Sequence, residues 1–501
     1  MAATFVVLAG FLVARCYVDS ALWLDEALSV SIARLPLAQL PAALRLDGSP
    51  PLYYALLHLW MQVFGEGDTA VRLLSAVFSI SSLPLIFAVG CRLRNRTTGW
   101  CAVALLASSP FAVHYATETR MYALVCFEVL LLLLVLLRAK ERPTALRLLA
   151  VPVAAALLLY THYWSLFLLA ALGLVLLAHC LRGQQAPTVR RLTAALTAGG
   201  ALFLPWTSTF LDQLRHTGTP WAQPPGGAEL LRTVREWAGG GTAPGEALSV
   251  LLLGLLVVGL LGRPSTGPDG RGALTLHLPM DPVARAVFGV AAGTLVLGLL
   301  AAMVSRSGYA YRYSSVALVP ALLLAALGLA AVPGRARGVL LGLLAVAGGA
   351  GVVHQQLFLP RTQAAQVAAA LRIDLRPGDL VLYCPDQLGP AVSRLLPATV
   401  QQAVYPSFAR PERVDWRDYQ ARNAAADPAT FAATASLRTT GAVFLVWQSG
   451  YRTFGTQCEE LDTALRRVRG ARERLLLPDG GFAERHHLNR FPAAGSRPAG
   501  S

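Results

Sequence analysis

Leu22-Trp-Leu-Asp-Glu-Ala27 follows the first apolar segment of the chain, residues 3–18, and its reading decides how the rest is arranged. If residues 3–18 cross a membrane, the chain leaves it here and Asp25 and Glu26 stand at its surface. Two adjacent carboxylates at a bilayer surface can hold a metal ion or take a proton. The same pair also suits the first turn of an interfacial helix, whose positive dipole end favours acids. The pair alone leaves both readings open, and the surrounding segments have to decide.

Composition supports the membrane half of that reading. The chain has 501 residues, 55% of them hydrophobic and only 14% charged, against about 25% charged in soluble domains. Its mean hydropathy is +0.51. Several apolar runs approach the roughly 20 residues that span a bilayer. The net charge of +15 is then read as basic residues in inner loops under the positive-inside rule, not as a nucleic-acid signal. With no basic n-region and no small-residue cleavage motif, residues 3–18 read as a retained helix rather than a signal peptide.

Working outward, residues 19–69 are too polar for a simple span. They hold the acidic pair, an amphipathic piece at 28–46, Asp47, Ser49-Pro-Pro-Leu-Tyr-Tyr54 and a second amphipathic piece. This reads as a long first external loop with interfacial helices, and Tyr53, Tyr54 and Trp60 suit an aromatic belt. Further spans are predicted at 70–91, 99–113, 120–138, 146–161, 163–181, 191–208, 247–262, 284–304, 314–332 and 338–357. That makes about eleven transmembrane helices. A Gly/Pro loop with Arg263 and Arg271 joins the spans at 247–262 and 284–304.

Basic clusters fall in alternate loops: Arg92, Arg94 and Arg96; Arg138, Lys140 and Arg147; Arg182, Arg190 and Arg191. The rule then puts the N-terminus inside a cytoplasmic membrane. It puts Asp25, His114-Tyr-Ala-Thr-Glu-Thr-Arg-Met-Tyr122, His162 and Arg312 together on the outer side. Ionisable groups near membrane depth face a cavity or pair with one another. Glu118 and Arg120 are thus either site residues or a surface pairing, with His114 as the other partner for Glu118. His162 reads as a ligand or as a structural turn residue. Arg312, between two tyrosines, reads as a phosphate clamp or as a snorkelling helix end.

Residues 359–490 change character. Gly378-Asp-Leu-Val-Leu-Tyr-Cys384 and Gly441-Ala-Val-Phe-Leu-Val-Trp447 read as buried strands, and 361–373 and 457–469 as amphipathic helices. The expectation is a transmembrane unit over 1–358, a small external α/β domain over 359–490, and a disordered tail over 491–501. Of seven cysteines, only Cys384 and Cys458 lie in this polar region. On the external side the two are expected to form a disulfide. No phosphate loop or dinucleotide fingerprint is present, which argues against an ATP-driven pump.

Trp23-Leu-Asp-Glu26, Pro50-Pro-Leu-Tyr-Tyr54, Arg72-Leu, Glu118-Thr-Arg-Met-Tyr-Ala123 and His162-Tyr, in this order and on one side, resemble the GT-C-type polyprenol-phosphate-dependent glycosyltransferases. The similarity is in particular to the bacterial protein-mannosyltransferase-like group (glycosyltransferase family 39-like, PMT-2 domain), and it covers roughly residues 20–330. It implies a GT-C-like polytopic helical enzyme. Such an enzyme moves a mannose-type or other hexose or pentose from a polyprenyl-phosphate donor to a glycan, protein or lipid acceptor on the outer membrane face, by inverting displacement. It also implies that Asp25 is the catalytic carboxylate with Glu26 beside it. Asp47, Tyr53, His114, Glu118, Arg120, His162 and Arg312 are the substrate-binding candidates. Some members use a divalent cation (Mg or Mn), for which Asp25, Glu26 and Glu118 are the candidate ligands. The chain departs from the group at Ser49, where His or Lys often precedes Pro-Pro, and at Thr119, where Ala is usual. A reading from a different class is a transporter or flippase of lipid or lipid-linked sugar. It would carry polar residues in mid-span and broken helices, whereas here the ionisable groups sit at helix ends.

Overall fold

The computed structural model describes residues 2–183, 186–266, 272–278 and 280–495. Arg271 and the tail from 496 onward lie outside these. The first half is helical throughout: α1 (Ala2–Ala14), α2 (Leu24–Ala33), α3 (Leu40–Asp47), α4 (Leu52–Phe64), α5 (Asp68–Leu93), α6 (Arg96–Ser108), α7 (Pro110–Ala116), α8 (Tyr122–Glu141), α9 (Ala145–Thr161), α10 (Ser165–Leu181), α11 (Ala186–Ala201) and α12 (Thr207–His216). Next come α13 (Glu229–Trp237), α14 (Ala243–Leu261), the strands β1 (Gly262–Thr266) and β2 (Gly272–Leu276), α15 (Pro282–Val304), α16 (Ser315–Ala331) and α17 (Gly334–Leu357).

The chain is a multi-pass membrane protein, but the expectation of about eleven spans is corrected. Among the described residues, seven helical stretches are long and apolar enough to cross a membrane. They are α5, α8, Pro187–His216 (which joins α11 and α12), α14, α15, Tyr311–Ala331 and α17. The number rises to eight if the pair Leu24–Ala33 and Leu37–Asp47, bent by 118°, counts as one. The physical reason is length. The predicted first span is a helix of 13 residues, about 20 Å at 1.5 Å per residue, against a hydrocarbon core of about 30 Å. The predicted third span breaks at Ser109, whose side chain caps a new helix starting at Pro110, leaving α6 with 13 residues. Helices α9 and α10 have 17 residues each, about 26 Å.

α16 is buried from Ser315 to Leu329 on every face, as a helix that carries no charged residue and is mostly Leu, Ala and Val requires. It crosses α14 closely enough that a Cβ on Gly259 would stand 2.2 Å from the Leu324 carbonyl oxygen. One on Gly328 would stand 2.2 Å from that of Leu255. Small residues are what allow such an approach between membrane helices. The segment read as a Gly/Pro loop after α14 contains a hairpin instead, with β1 and β2 paired antiparallel from Gly262↔Leu276 to Thr266↔Gly272.

The C-terminal part is an α/β unit. Its elements are α18 (Ala364–Asp374), β3 (Leu380–Cys384), α19 (Gly389–Ser393), β4 (Gln401–Val404), α20 (Tyr419–Ala424), α21 (Pro428–Arg438), β5 (Val443–Trp447), α22 (Gln457–Arg469), β6 (Glu473–Leu476) and β7 (His487–Phe491). The sheet order is β4-β3-β5-β7-β6. β3 runs parallel to β4 and β5, while β7 runs antiparallel to β5 and β6. Every residue of β3 and β5 is buried, the pattern of strands covered on both faces. A disulfide joins Cys384, at the end of β3, to Cys458 in the first turn of α22.

The α/β unit is seated on the first helices of the membrane unit. Leu24 packs into its apolar cluster with Leu382 and Phe491. Arg394 pairs with Asp68 at 2.8 Å, and the Trp416 N–H donates to the Leu46 carbonyl at 2.9 Å.

Candidate active site

Consecutive residues on an α-helix point about 100° apart, so the two carboxylates at the start of α2 diverge. Glu26 turns inward and is 0% exposed. Arg72 donates to it twice, from Nε to Oε1 at 2.7 Å and from Nη2 to Oε2 at 2.6 Å. The Thr119 N–H adds a bond to Oε1 at 3.0 Å, and Arg361 Nη1 stands 3.2 Å from the same oxygen. Arg72 is held in turn by the Ser20 and Ala21 carbonyls. This is a buried charge with its lone pairs taken, the form in which buried charges persist. Glu26, expected beside Asp25 in the chemistry, is not on the cavity wall.

Asp25 turns the other way. It is 8% exposed, and its Oδ2 accepts no hydrogen bond among the described residues. That oxygen is buried and lies 3.4 Å from Arg312 Nη2, and Asp25 lines a cavity of about 1030 Å³ between the membrane helices and the α/β unit. Four more candidates line the same cavity: Asp47, Arg120, His162 and Arg312. The Arg312 guanidinium lies 4.6 Å from the ring centroid of Trp221 and 6.0 Å from that of Trp23. Cation–π contact of this kind holds a guanidinium without using up its donors. Arg120 Nη1 donates to Ser29 Oγ at 3.1 Å and to the Tyr54 hydroxyl at 3.2 Å, and Tyr54 donates to Asp47 Oδ2 at 2.8 Å. The Nε atoms of both arginines are unpartnered among the described residues.

His162 sits in the turn between α9 and α10, its ring against Tyr122 and Tyr313. Its Nδ1 accepts from the Trp164 N–H at 3.2 Å, which leaves the ring proton on Nε2. Burial first, and then the charges of Arg120 and Arg312, push its pKa down to about 3. At neutral pH it is an uncharged donor.

Three candidates are placed elsewhere. Tyr53 is buried in the helical core, its hydroxyl 3.3 Å from Ser75 Oγ; its neighbour Tyr54 is the tyrosine tied to Asp47 and Arg120. His114 and Glu118 pair with each other at 3.3 Å, and neither is on the cavity wall. Glu26 and Glu118 are thus engaged away from Asp25, and no group of three or more His, Cys, Asp or Glu among the described residues could hold a metal ion. The side chains of Asp25, Glu26 and Glu118 do not fit a shared cation. The sequence reading also missed the share of the wall that the α/β unit supplies, including Trp416, Arg452 and Glu484. Only one signal pointed to such partners. A carboxylate destined for burial needs cations, and nothing in the sequence says that Arg361 is one of them.

Residues 48–209 match a family model described as dolichyl-phosphate-mannose-protein mannosyltransferase. The match takes in Arg72, Arg120 and His162 and leaves Asp25, Arg312 and the α/β unit outside. A comparison with curated protein sequences gives no match. Among solved structures, ArnT from Cupriavidus metallidurans bound to undecaprenyl phosphate superposes with a TM-score of 0.61 at 13% identity, covering 99% of this chain and 98% of that one. The chain has the fold of that protein. Two structures of the Archaeoglobus fulgidus oligosaccharyltransferase also match. One, tethered to an acceptor peptide, does so with a TM-score of 0.52 at 10% identity over 94% of this chain and 72% of that one. The other, in complex with an inhibitory peptide and a dolichol-phosphate, does so with 0.50 at 10% over 88% and 69%. The likeness to ArnT thus extends through the C-terminal α/β unit.

Proposed function

We propose that this protein is a membrane glycosyltransferase that takes a sugar from a polyprenyl-phosphate donor and passes it to an acceptor hydroxyl. The observation that carries the reading is Asp25 on the wall of the shared cavity, with an oxygen that accepts no hydrogen bond among the described residues and lies 3.4 Å from Arg312. Asp25 takes the hydroxyl proton as the acceptor oxygen attacks the anomeric carbon. The bond from that carbon to the phosphate oxygen breaks, and the lipid phosphate leaves with the electron pair. Arg312, with Arg120 across the cavity, meets the charge that develops on the phosphate. One displacement inverts the anomeric centre. Two of the similar structures hold a polyprenyl-type lipid phosphate by description, which supports the donor class.

Charge supports a reading of sidedness as well. α5 begins at the cavity end with Asp68 and Arg72 and finishes with Arg92. Beyond that end Arg94 pairs with Asp281 at 2.8 Å, as does Arg263 at 3.3 Å. Arg92, Arg94 and Arg263 therefore stand at the end of the helices remote from Asp25. Under the positive-inside rule that end is cytoplasmic, and the cavity and the α/β unit face outward.

The test is a transfer assay in reconstituted vesicles with a panel of radiolabelled polyprenyl-phosphate sugars and a crude cell-envelope acceptor. Label reaching an acceptor with inverted anomeric configuration is expected. Donor that is never consumed, but crosses the bilayer intact, would mark a transporter and overturn the reading.

A further inference from the structure

Helix α2 starts without a cap of its own, because Trp23 makes no side-chain bond to the first turn. The Leu24 N–H is met instead by Glu484 Oε1 at 3.3 Å, across 460 residues of sequence. The other oxygen of that carboxylate accepts from Thr362 Oγ1 at 2.5 Å. A carboxylate at a helix N-terminus satisfies an orphan donor and faces the positive end of the dipole.

Glu484 does not act alone. Its N–H donates to the Arg361 carbonyl at 2.8 Å, and its own carbonyl accepts from the Gln363 N–H at 3.0 Å. The segments around 362 and 484 therefore form one short parallel ladder. The side chain of Arg361 leaves that ladder to reach Glu26 Oε1 at 3.2 Å and the Thr117 carbonyl at 2.8 Å. The ladder grips α2 at Leu24 and at Glu26, one residue to either side of Asp25.

We infer that this ladder fixes where the Asp25 carboxylate stands in the cavity, and that Glu484 is a positioning residue for sugar transfer. The inference rests on the proposed function. It assigns the α/β unit a part in the reaction: the unit closes over the site and sets the first turn of the helix that bears the base. A shift of about 1 Å in a reacting group can cost about a hundredfold in rate, so a frayed first turn is enough to matter.

The test uses the full-length protein in detergent and in vesicles, with Glu484→Ala, Glu484→Asp and Glu484→Gln. Two quantities are read: amide hydrogen exchange over residues 24–28, and kcat and KM for the labelled donor. Glu484→Ala is expected to raise exchange over 24–28 without raising it in β3 and β5. It should lower kcat about ten- to a hundredfold while KM stays within about twofold. Glu484→Asp, one methylene too short to span Leu24 and Thr362, should behave like Ala if Ala fails to fold. Glu484→Gln keeps an acceptor oxygen and should restore both readings. Unchanged exchange over 24–28 in Glu484→Ala, or raised exchange with unchanged kcat, would overturn the inference. A wild-type protein that transfers no sugar would defeat the proposed function instead, and the exchange data would still decide whether the ladder holds α2.

Discussion

Asp25 and Glu26 share a charge and a helical turn, yet the regions they enter have little in common. On the Glu26 side two guanidinium groups and a backbone N–H converge on one fully buried carboxylate. On the Asp25 side one buried oxygen accepts no hydrogen bond among the described residues and has a single cation at 3.4 Å, in a residue that lines the cavity. The first arrangement is saturated and ties the membrane helices to the α/β unit. The second keeps bonding capacity for something that is not protein. The lesson is that acidity by itself does not mark a reactive residue. What a carboxylate can do depends on how many of its lone pairs the protein has already taken.

The contrast can be broken most forcefully from the saturated side. Glu26→Gln leaves Arg72 and Arg361 buried with too little negative charge. Breaking a buried pair typically costs about 3–5 kcal/mol, so the unfolding midpoint in detergent should fall sharply; a wild-type midpoint would show that the cluster is not structural. On the open side, Arg312→Gln should lower transfer about a hundredfold, the scale of losing one preorganised donor to a developing anion. It should lower the midpoint far less than Glu26→Gln does, since Arg312 is held by ring contacts and one long ion pair rather than by a saturated buried cluster. The tyrosine pair sharpens the division further. Tyr54→Phe removes the hydroxyl joining Asp47 to Arg120 and should raise the donor KM several-fold. Tyr53→Phe should cost about 1 kcal/mol of stability and leave KM alone.

A further effect concerns pH. Burial pushes His486 down to about 3, against about 6.5 in an unfolded chain. The unfolded state therefore takes the proton first as pH falls. The stability that neutral His486 contributes is complete above about pH 6.5 and is lost progressively toward pH 3. Unfolding midpoints measured between pH 7 and pH 4 should fall less steeply in His486→Phe than in wild type. Parallel slopes would contradict the assignment.

Much of this was legible in the chain. The leucine-rich stretches of α5, α8 and α15 declare themselves, and the apolar runs at 380–384 and 443–447 can only be buried strands. The sequence also singled out Asp25, Asp47, Arg120, His162 and Arg312, all of which line one cavity. Other features were not legible, for identifiable reasons. Hydropathy sums over a window and does not register that Ser109-Pro110 ends one helix and starts another. It scores a 17-residue apolar helix much like a span. The choice between Asp25 and Glu26, and between Tyr53 and Tyr54, depends on which way one turn of helix faces, and neighbours settle that. For Glu26 one of those neighbours is Arg361, more than three hundred residues away. Glu484 carries no local signal because its role lies in a contact with the backbone of Leu24.

The most direct test is Asp25→Asn, purified and reconstituted with the donor that wild type consumes, with turnover, donor binding and unfolding midpoint measured on the same preparation. Loss of a general base predicts a fall in transfer of about 10²- to 10⁴-fold, with binding and midpoint unchanged. A folded Asp25→Asn protein that transfers sugar at the wild-type rate would contradict the account at its centre.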